Sequence, residues 1–183
     1  MSLVLGADVG SQSIKVVLVD EGGDVVASGS AALSMTHRHD GWAEQDPHTY
    51  RTALRDAVRA ATAGIEPTRV VAMGLGSQVD GVVVCDCIGQ PLRPAIIWLD
   101  KRATEQCDRL VGAVGEGLLA ERTGLVADAS HSAPKMMWIR DHEPSVWQAA
   151  AAYRMGSIRQ PWPESSSSWT RGGRKTLGYE AGV

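Results

Sequence analysis

Short apolar runs separated by polar turns open the chain. Residues 3–5 and 14–19 are rich in Val, Leu and Ile, and residues 25–27 and 31–35 continue the pattern after a Glu-Gly-Gly-Asp turn. Runs of this length and composition predict β-strands. Because the connections between them are short, we expect neighbouring strands to run antiparallel, as a meander.

The periodicity becomes helical after residue 46. Asp46 followed by Pro47 is typical of a helix start, since Asp accepts hydrogen bonds at the N-cap and Pro suits the first helical position. Apolar residues then recur every three to four positions until Gly64, which ends the predicted helix. Further strands are predicted at residues 70–75, 81–87 and 95–98, and further helices at 103–111, 134–142 and 145–152. A meander followed by alternating helices and strands predicts an α/β fold, a mixed sheet with flanking helices.

Composition restricts the class of protein. The chain has 183 residues, 44% of them hydrophobic, and a net charge of −3, which fits one domain or slightly more with a packed core. The weak acidity argues against nucleic-acid partners. No apolar run reaches the about 18 residues of a membrane span, and the first residues lack the basic start of a signal peptide. An odd number of cysteines, three, indicates a reduced, cytoplasmic protein.

A polar segment joins the first two predicted strands and carries the candidate chemistry. Backbone N–H groups around a glycine can form an anion-binding concavity, and hydroxyls and a lysine would add to it. An acid in the same turn cannot hold phosphate, but it can hold Mg²⁺. The alternative is an ordinary turn with a solvated acid. The residues concerned are Asp8, Gly10, Ser11, Gln12, Ser13 and Lys15.

Four stretches of the chain resemble motifs of known proteins and occur in a known order. Residues 8–15 read DVGSQSIK, like the first phosphate loop of the sugar kinase, Hsp70 and actin superfamily. Residues 41–47 read GWAEQDP, residues 89–103 read GQPLRPAIIWLDKRA, and residues 130–144 read SHSAPKMMWIRDHEP. The last three narrow the resemblance to the FGGY carbohydrate kinase family, where the chain looks most like the xylulose kinases and related pentulose and polyol kinases.

The resemblance implies a fold and a reaction. The fold would be the ribonuclease H-like, actin-like ATPase fold, present here only in part. The reaction would be transfer of the γ-phosphoryl group of ATP, with Mg²⁺, to a hydroxyl of a pentulose or polyol such as xylulose. Asp8 would organise the metal, Lys15 would take the place of the basic residue after the loop, and residues 10–13 would face the phosphates.

The resemblance also implies a sugar site, formed by Gln78, Val79, Asp80, Trp98, Asp100 and Arg102. Val79 and Asp80 stand where xylulose kinases usually carry Met-His, so the sugar stays open. An Asp accepts from two hydroxyls, whereas a neutral His donates one bond and accepts one. Asp80-Gly is alternatively a plain turn, Trp98 fits the core better than a sugar platform, and Asp100 and Arg102 could pair on the surface.

Other expectations concern the organisation of the chain. Lys135 and Trp138 are interpreted as structural residues that fix a helix against the pocket wall. Residues 1–152 are predicted to form the N-terminal part of the kinase, and residues 153–183 an irregular and possibly frameshifted tail. The family's catalytic Asp would lie beyond this sequence, so no catalytic residue is assigned and the 183-residue chain alone is expected to be inactive. The alternative is a non-catalytic remnant that binds sugar or phosphate weakly; a homodimer of the full-length form is left open.

Overall fold

The computed structural model describes residues 1–154. The strands are β1 (Leu3–Val9), β2 (Ser13–Val19), β3 (Val25–Ala32), β4 (Glu44–Gln45), β5 (Val70–Ser77), β6 (Val83–Cys85), β7 (Ala95–Ile96) and β8 (Ala152–Arg154). The helices are α1 (Pro47–Ala61), α2 (Thr104–Val114), α3 (Glu116–Thr123), α4 (Ser132–His142) and α5 (Pro144–Ala149), with a 3₁₀ turn at Pro67–Arg69.

The main sheet has the order β3-β2-β1-β5. Its first three strands are antiparallel, and β5 runs parallel to β1 after the crossover through α1. The predicted mixed sheet with an initial meander is therefore confirmed. In the register of β1 with β5, Asp8 lies beside Gly76 and Val9 beside Ser77. The polar segment after β1 and the segment after β5 consequently leave the sheet at the same edge.

The first core lies between the meander and α1. Alternate residues of β1 and β2 are buried beneath the helix, as the period of two requires. The predicted helix start is confirmed, because the Asp46 carboxylate accepts a hydrogen bond from the His48 backbone N–H at 3.0 Å. The α1 face toward the sheet carries the small residues Ala53, Ala57 and Ala61, so the helix lies close to β3.

The meander differs from the sequence expectation at β3. Residues 25–27 and 31–35 were expected as separate strands, yet Val25–Ala32 is one continuous strand. Gly29 in its middle does not interrupt the strand, and a glycine is required there because the backbone of α1 occupies the space where a side chain would stand. A Cβ atom built on Gly29 would lie 2.4 Å from the Ala57 carbonyl oxygen and 2.5 Å from the Ala61 nitrogen.

We expect Gly29→Ala to lower the free energy of unfolding by about 2 kcal/mol or more, since overpacking of this kind costs about 1–3 kcal/mol or more. The helix would have to move away from the sheet to admit the methyl group. Urea unfolding followed by circular dichroism measures the loss. The matched control is Gly112→Ala in α2, where a Cβ atom meets nothing within 4 Å and the helix should gain about 0.5–1 kcal/mol. Equal stability of Gly29→Ala and wild type would contradict the close packing.

A second core joins segments distant in sequence. The buried residues of this core are Val82, Val84, Ile96, Ala103, Trp138 and Ile139.

Two predicted elements are shorter than expected. The strand expected at residues 81–87 is only β6, and the helix expected to reach residue 152 ends at Ala149, because Ala152–Arg154 pairs with β6 as β8. Helix α3 was not predicted, since Gly115, which has a φ of 90°, separates it from α2.

The outer strand of the main sheet is exposed. Val71, Met73 and Leu75 of β5 are large apolar residues open to solvent. Among the residues that the structure describes, no helix is long and apolar enough to cross a membrane. The expectation for the tail beyond Arg154 falls outside the described residues, and the proposed division of the chain at residue 152 stays a prediction.

Candidate functional site

The turn between β1 and β2 forms a narrow tip at the edge of the main sheet. The Gly10 N–H donates to the Ser13 carbonyl at 3.1 Å, which closes the tip, and the Leu33 N–H donates to the Gln12 carbonyl at 2.9 Å. A side chain on Gly10 would come within 3.1 Å of the Ser13 oxygen, so glycine fits this position best. Ser11 and Ser13 are half-buried, and Gln12 is exposed.

Asp8 lies just before this tip, on the sheet face opposite α1. Its neighbours across the sheet are Lys15 of β2 and Gly76 of β5, and both Asp8 and Lys15 are exposed. Gly74, which lies two residues before Gly76 on the same face of β5, also carries no side chain. The space beside it is open, because a Cβ atom built there would meet nothing within 4 Å. The described residues contain no group of three or more His, Cys, Asp or Glu side chains that could hold a metal. A single accessible carboxylate matches Mg²⁺, which keeps several waters and takes phosphate oxygens as ligands.

Gln45 connects the tip with the segment that follows β5. Its amide nitrogen donates to the Ser11 carbonyl at 2.8 Å and to the Ser34 carbonyl at 3.3 Å. Its amide oxygen accepts from the Tyr50 hydroxyl at 3.1 Å and from the Gln78 amide at 3.0 Å. All the hydrogen-bonding positions of this buried amide are thus used. Burial raises the pKa of Tyr50 to about 12, so its hydroxyl remains a donor at neutral pH.

Sequence reasoning missed Gln45 as an individual residue. The only signal in the sequence is its place in GWAEQDP, a stretch whose resemblance to the family implies no role for this residue. The residue brings Gln78 to the tip, and the Gln78 N–H also donates to the Val9 carbonyl at 2.9 Å. The expected phosphate residues and the first of the expected sugar residues therefore lie side by side.

Asp80 follows Gln78 in a left-handed turn. Its φ is 57°, the only positive φ among the described residues other than glycine, and Asp tolerates this conformation better than most residues. The chain bends at Val79 and Asp80. Val79 beside it is exposed and Asp80 is half-buried. Neither assignment to a sugar site is tested by this geometry, which leaves both side chains accessible at the edge of the sheet.

Trp98 is not a core residue, in contrast to the expectation that favoured the core. Its side chain is 44% exposed, and the neighbouring Leu99 is exposed as well. The preceding residue, Ile97, is buried, and its N–H donates to the Ala43 carbonyl at 3.1 Å. The backbone is thus fixed while the indole stays accessible, an arrangement that suits a platform for a sugar ring.

Asp100 and Arg102 pair with each other, but in the interior and not on the surface. The Asp100 carboxylate accepts from the Ala43 N–H at 2.6 Å and from the Arg102 guanidinium at 2.7–3.0 Å. Both side chains are fully buried. The guanidinium carbon lies 3.6 Å from the Trp42 ring centre and 4.8 Å from that of Trp138. The polar atoms of both residues are engaged in these contacts, and the sugar contact expected of them stays a prediction.

The buried pair belongs to a larger ionic cluster. Glu44 accepts from Arg102 at 2.9 Å and from Arg93 at 2.5 Å, and Arg93 also pairs with Glu143 at 2.8 Å. The cluster joins β4, the segment after β7 and the start of α5. The cluster holds residues 41–47 against residues 97–102 and so fixes the backbone that carries Trp98. Gln78, Asp80 and Trp98 are called the wall of the candidate site below.

Lys135 of α4 lies behind the same wall. Its ammonium donates to the carbonyls of Asp80 at 2.7 Å and Ile97 at 2.9 Å, and also to that of Ser130. Trp138, one turn later, packs against Trp42. This placement agrees with the structural role expected for both residues.

The solved structures that superimpose on this chain include sugar kinases of the actin-like ATPase fold, which assigns the chain to that fold class. A xylulose kinase from Rhodospirillum rubrum superimposes with a TM-score of 0.77 at 28% sequence identity, over 84% of this chain and 32% of that one. The model of the FGGY family of carbohydrate kinases, N-terminal domain, matches residues 3–158. The chain belongs to this family.

Two curated relatives illustrate the range of similarity. A xylulose kinase of Streptomyces rubiginosus is 38% identical over 155 residues, covering 84% of this chain and 31% of the relative. A glycerol kinase of Stenotrophomonas maltophilia is 35% identical over 150 residues, covering 80% of this chain and 30% of the relative. The chain thus spans about 30% of the length of these relatives.

Proposed function

We propose that this chain supplies the phosphate-binding tip and one wall of the sugar site of an ATP-dependent kinase that phosphorylates a hydroxyl of a pentulose or polyol, xylulose being the first candidate. The observation that carries the proposal is the hydrogen-bonded path from Ser11 through Gln45 to Gln78. Phosphoryl transfer requires that the phosphates and the acceptor hydroxyl be held in line at close range, and this path holds their two candidate loops together.

The tip would bind the phosphates of ATP. Residues 10–13 would face the phosphate oxygens with hydroxyl and backbone groups, and Lys15 would add a positive charge. Asp8 fits as a holder of Mg²⁺, directly or through water, because its carboxylate is exposed and no side chain stands on Gly74 or Gly76. The metal, when bound, neutralises phosphate charge. We assign no described residue as the base that accepts the proton of the hydroxyl.

The wall would bind the acceptor. Gln78 and Asp80 would hydrogen-bond to sugar hydroxyls, and the Asp80 carboxylate accepts from two of them. The exposed indole of Trp98 would cover the apolar face of the sugar. Val79 adds an apolar contact where a xylulose kinase usually offers Met, so a pentulose, a pentitol and glycerol must all be tested.

Asp80→Asn should weaken sugar binding about tenfold or more, since a hydrogen bond to a charged group contributes about 1.5–3 kcal/mol. Asn tolerates the left-handed backbone of this position, whereas Ala would add strain. Isothermal titration of the chain with xylulose, ribulose, ribitol, arabinitol and glycerol, each with and without Mg-ATP, measures the change. Asp20→Asn, in the exposed turn at the far end of β2, is the matched control and should bind as wild type does.

The same titration tests the proposal itself. If wild type bound none of the five compounds, the sugar site would be wrong. If it bound a sugar and Asp80→Asn bound equally well, Asp80 would have no role in the site.

We also propose a reducing, cytoplasmic location. Cys85, Cys87 and Cys107 are free thiols, and burial raises the pKa of Cys85 and Cys107, which keeps both protonated and unreactive.

A further inference from the structure

Lys135 is a buried lysine for which residues 1–154, the described part of the chain, offer no carboxylate partner. Its side chain is fully buried, and the three hydrogen bonds of its ammonium all go to backbone carbonyls. Burial of a cation is costly unless every donor is satisfied. An apolar residue would pack α4 against the wall at lower cost, so the ammonium does more than fill space.

The three carbonyls come from three separate segments. The Asp80 carbonyl belongs to the left-handed turn before β6, the Ile97 carbonyl follows β7, and the Ser130 carbonyl precedes α4. The Ile97 carbonyl is part of the peptide bond to Trp98. The ammonium therefore holds the backbone directly at Asp80 and immediately before Trp98, the residues whose side chains face the proposed sugar from two different loops.

We propose that Lys135 is a positioning residue of the sugar site, whose ammonium sets the backbone of Asp80 and Trp98 so that the carboxylate and the indole face one bound sugar. This inference rests on the proposed function. Loss of the ammonium leaves three buried carbonyls without a donor. The left-handed turn at Asp80 would lose the hydrogen bond to its own carbonyl.

The protonation state of Lys135 gives the inference a signature. Burial lowers its pKa from 10.5 to about 8; Asp100 and Asp80 oppose this shift, while Lys101 and Arg102 reinforce it. A neutral amine has two N–H groups for three carbonyls, so one carbonyl loses its hydrogen bond above about pH 8. Sugar affinity should therefore fall as the pH rises through 8.

Global stability should respond in the opposite direction. Between pH 8 and the ordinary value of 10.5, the unfolded chain binds this proton and the folded chain does not. Stability rises with pH wherever the unfolded state binds more protons, so deprotonation of Lys135 favours the folded state. If Lys135 only stabilised the fold, its deprotonation would not weaken sugar binding, because deprotonation increases the stability of the folded state.

The test compares wild type with Lys135→Met and Lys101→Met between pH 7 and 9.5. Lys101 is an exposed lysine that pairs with Asp128 at 2.6 Å, so the control carries the same chemical change. Xylulose and ribitol affinity is measured by titration, and the backbone ¹³C shifts of Asp80 report its left-handed φ without any ligand. We expect at least fivefold weaker sugar binding by wild type at pH 9.5 than at pH 7. Lys135→Met should bind at least tenfold more weakly at pH 7 with no further change. Lys101→Met should bind as wild type does at pH 7 and lose affinity at a slightly higher pH, because the Lys101 charge helps to lower the pKa of Lys135.

Lys135→Met with wild-type affinity and an unchanged Asp80 conformation would overturn the inference. If that variant does not fold, the test is made on wild type. The amide resonances of Asp80 and Trp98 must then shift together with the titration of the Lys135 ammonium. Resonances that stay constant over this pH range would overturn the inference. If wild type binds neither compound while these resonances shift together, the proposed function fails and the positioning of the two loops stands.

Discussion

Replacement of Arg102 by methionine is expected to lower the free energy of unfolding by about 3–5 kcal/mol, as is usual when one partner of a buried ion pair is removed. The guanidinium supplies three of the contacts of the Asp100 carboxylate and one of those of Glu44. Without it, Asp100 keeps only backbone partners in a fully buried place. The loss of contact with Trp42 and Trp138 adds to the effect.

Urea unfolding measures this loss, and two further variants calibrate it. Arg109→Met removes a half-exposed arginine that pairs with Asp141 and should cost less than about 1 kcal/mol. Adding Asp100→Asn to Arg102→Met removes the unpaired charge and should recover part of the stability. A loss below 1 kcal/mol for Arg102→Met would show that the cluster does not hold the wall.

Asp8→Asn is expected to lower the kcat of the full-length protein at least about 100-fold, comparable to removal of one strong electrostatic contact at a reacting centre. The amide keeps the shape of the side chain and loses the charge that holds the metal. The KM for the sugar should stay within about twofold, because Gln78, Asp80 and Trp98 are untouched. A coupled assay at several Mg²⁺ concentrations measures both parameters.

The 183-residue chain gives an independent readout of the same residue. Its affinity for Mn²⁺ in the presence of ATP, followed by electron paramagnetic resonance, should fall about tenfold or more in Asp8→Asn, about 1.4 kcal/mol. Asp20→Asn at the other end of β2 should leave the affinity unchanged. A variant that altered only sugar affinity would show that the two loops are assigned the wrong way round.

Local patterns in the sequence predicted the elements that depend on local forces. The apolar runs of β1 and β2 and the Asp46-Pro47 start of α1 are properties of neighbouring residues, and the elements predicted from them are confirmed. The tip between β1 and β2 was recognisable as a candidate phosphate site because an acid, a glycine and two serines occur within six positions. The continuity of β3 was missed because a glycine such as Gly29 is typical of a break between strands. Its role is to let the backbone of α1 lie close to the sheet, which only the folded structure shows.

The contacts that assemble the site were not predictable from local patterns. Gln45 bonds to Gln78, Arg102 lies between Trp42 and Trp138, and the Lys135 ammonium reaches Asp80, all across long separations in sequence. Charged residues such as Arg102 and Lys135 are usually found on the surface. Their burial follows from partners on other elements, which a single sequence does not reveal.

The two cores differ in how much of the chain each one needs. The first draws its buried residues from Leu3 to Ala61, a continuous segment, whereas the second joins Trp42 to β6 and to Tyr153 of β8. Contacts between residues close in sequence form faster, because less entropy is lost in closing the loop. During synthesis on the ribosome, the hairpin with Asp8 can already rest on α1 when the C-terminal half is still unmade. The loops of Asp80 and Trp98 acquire their final form only after α4 has emerged.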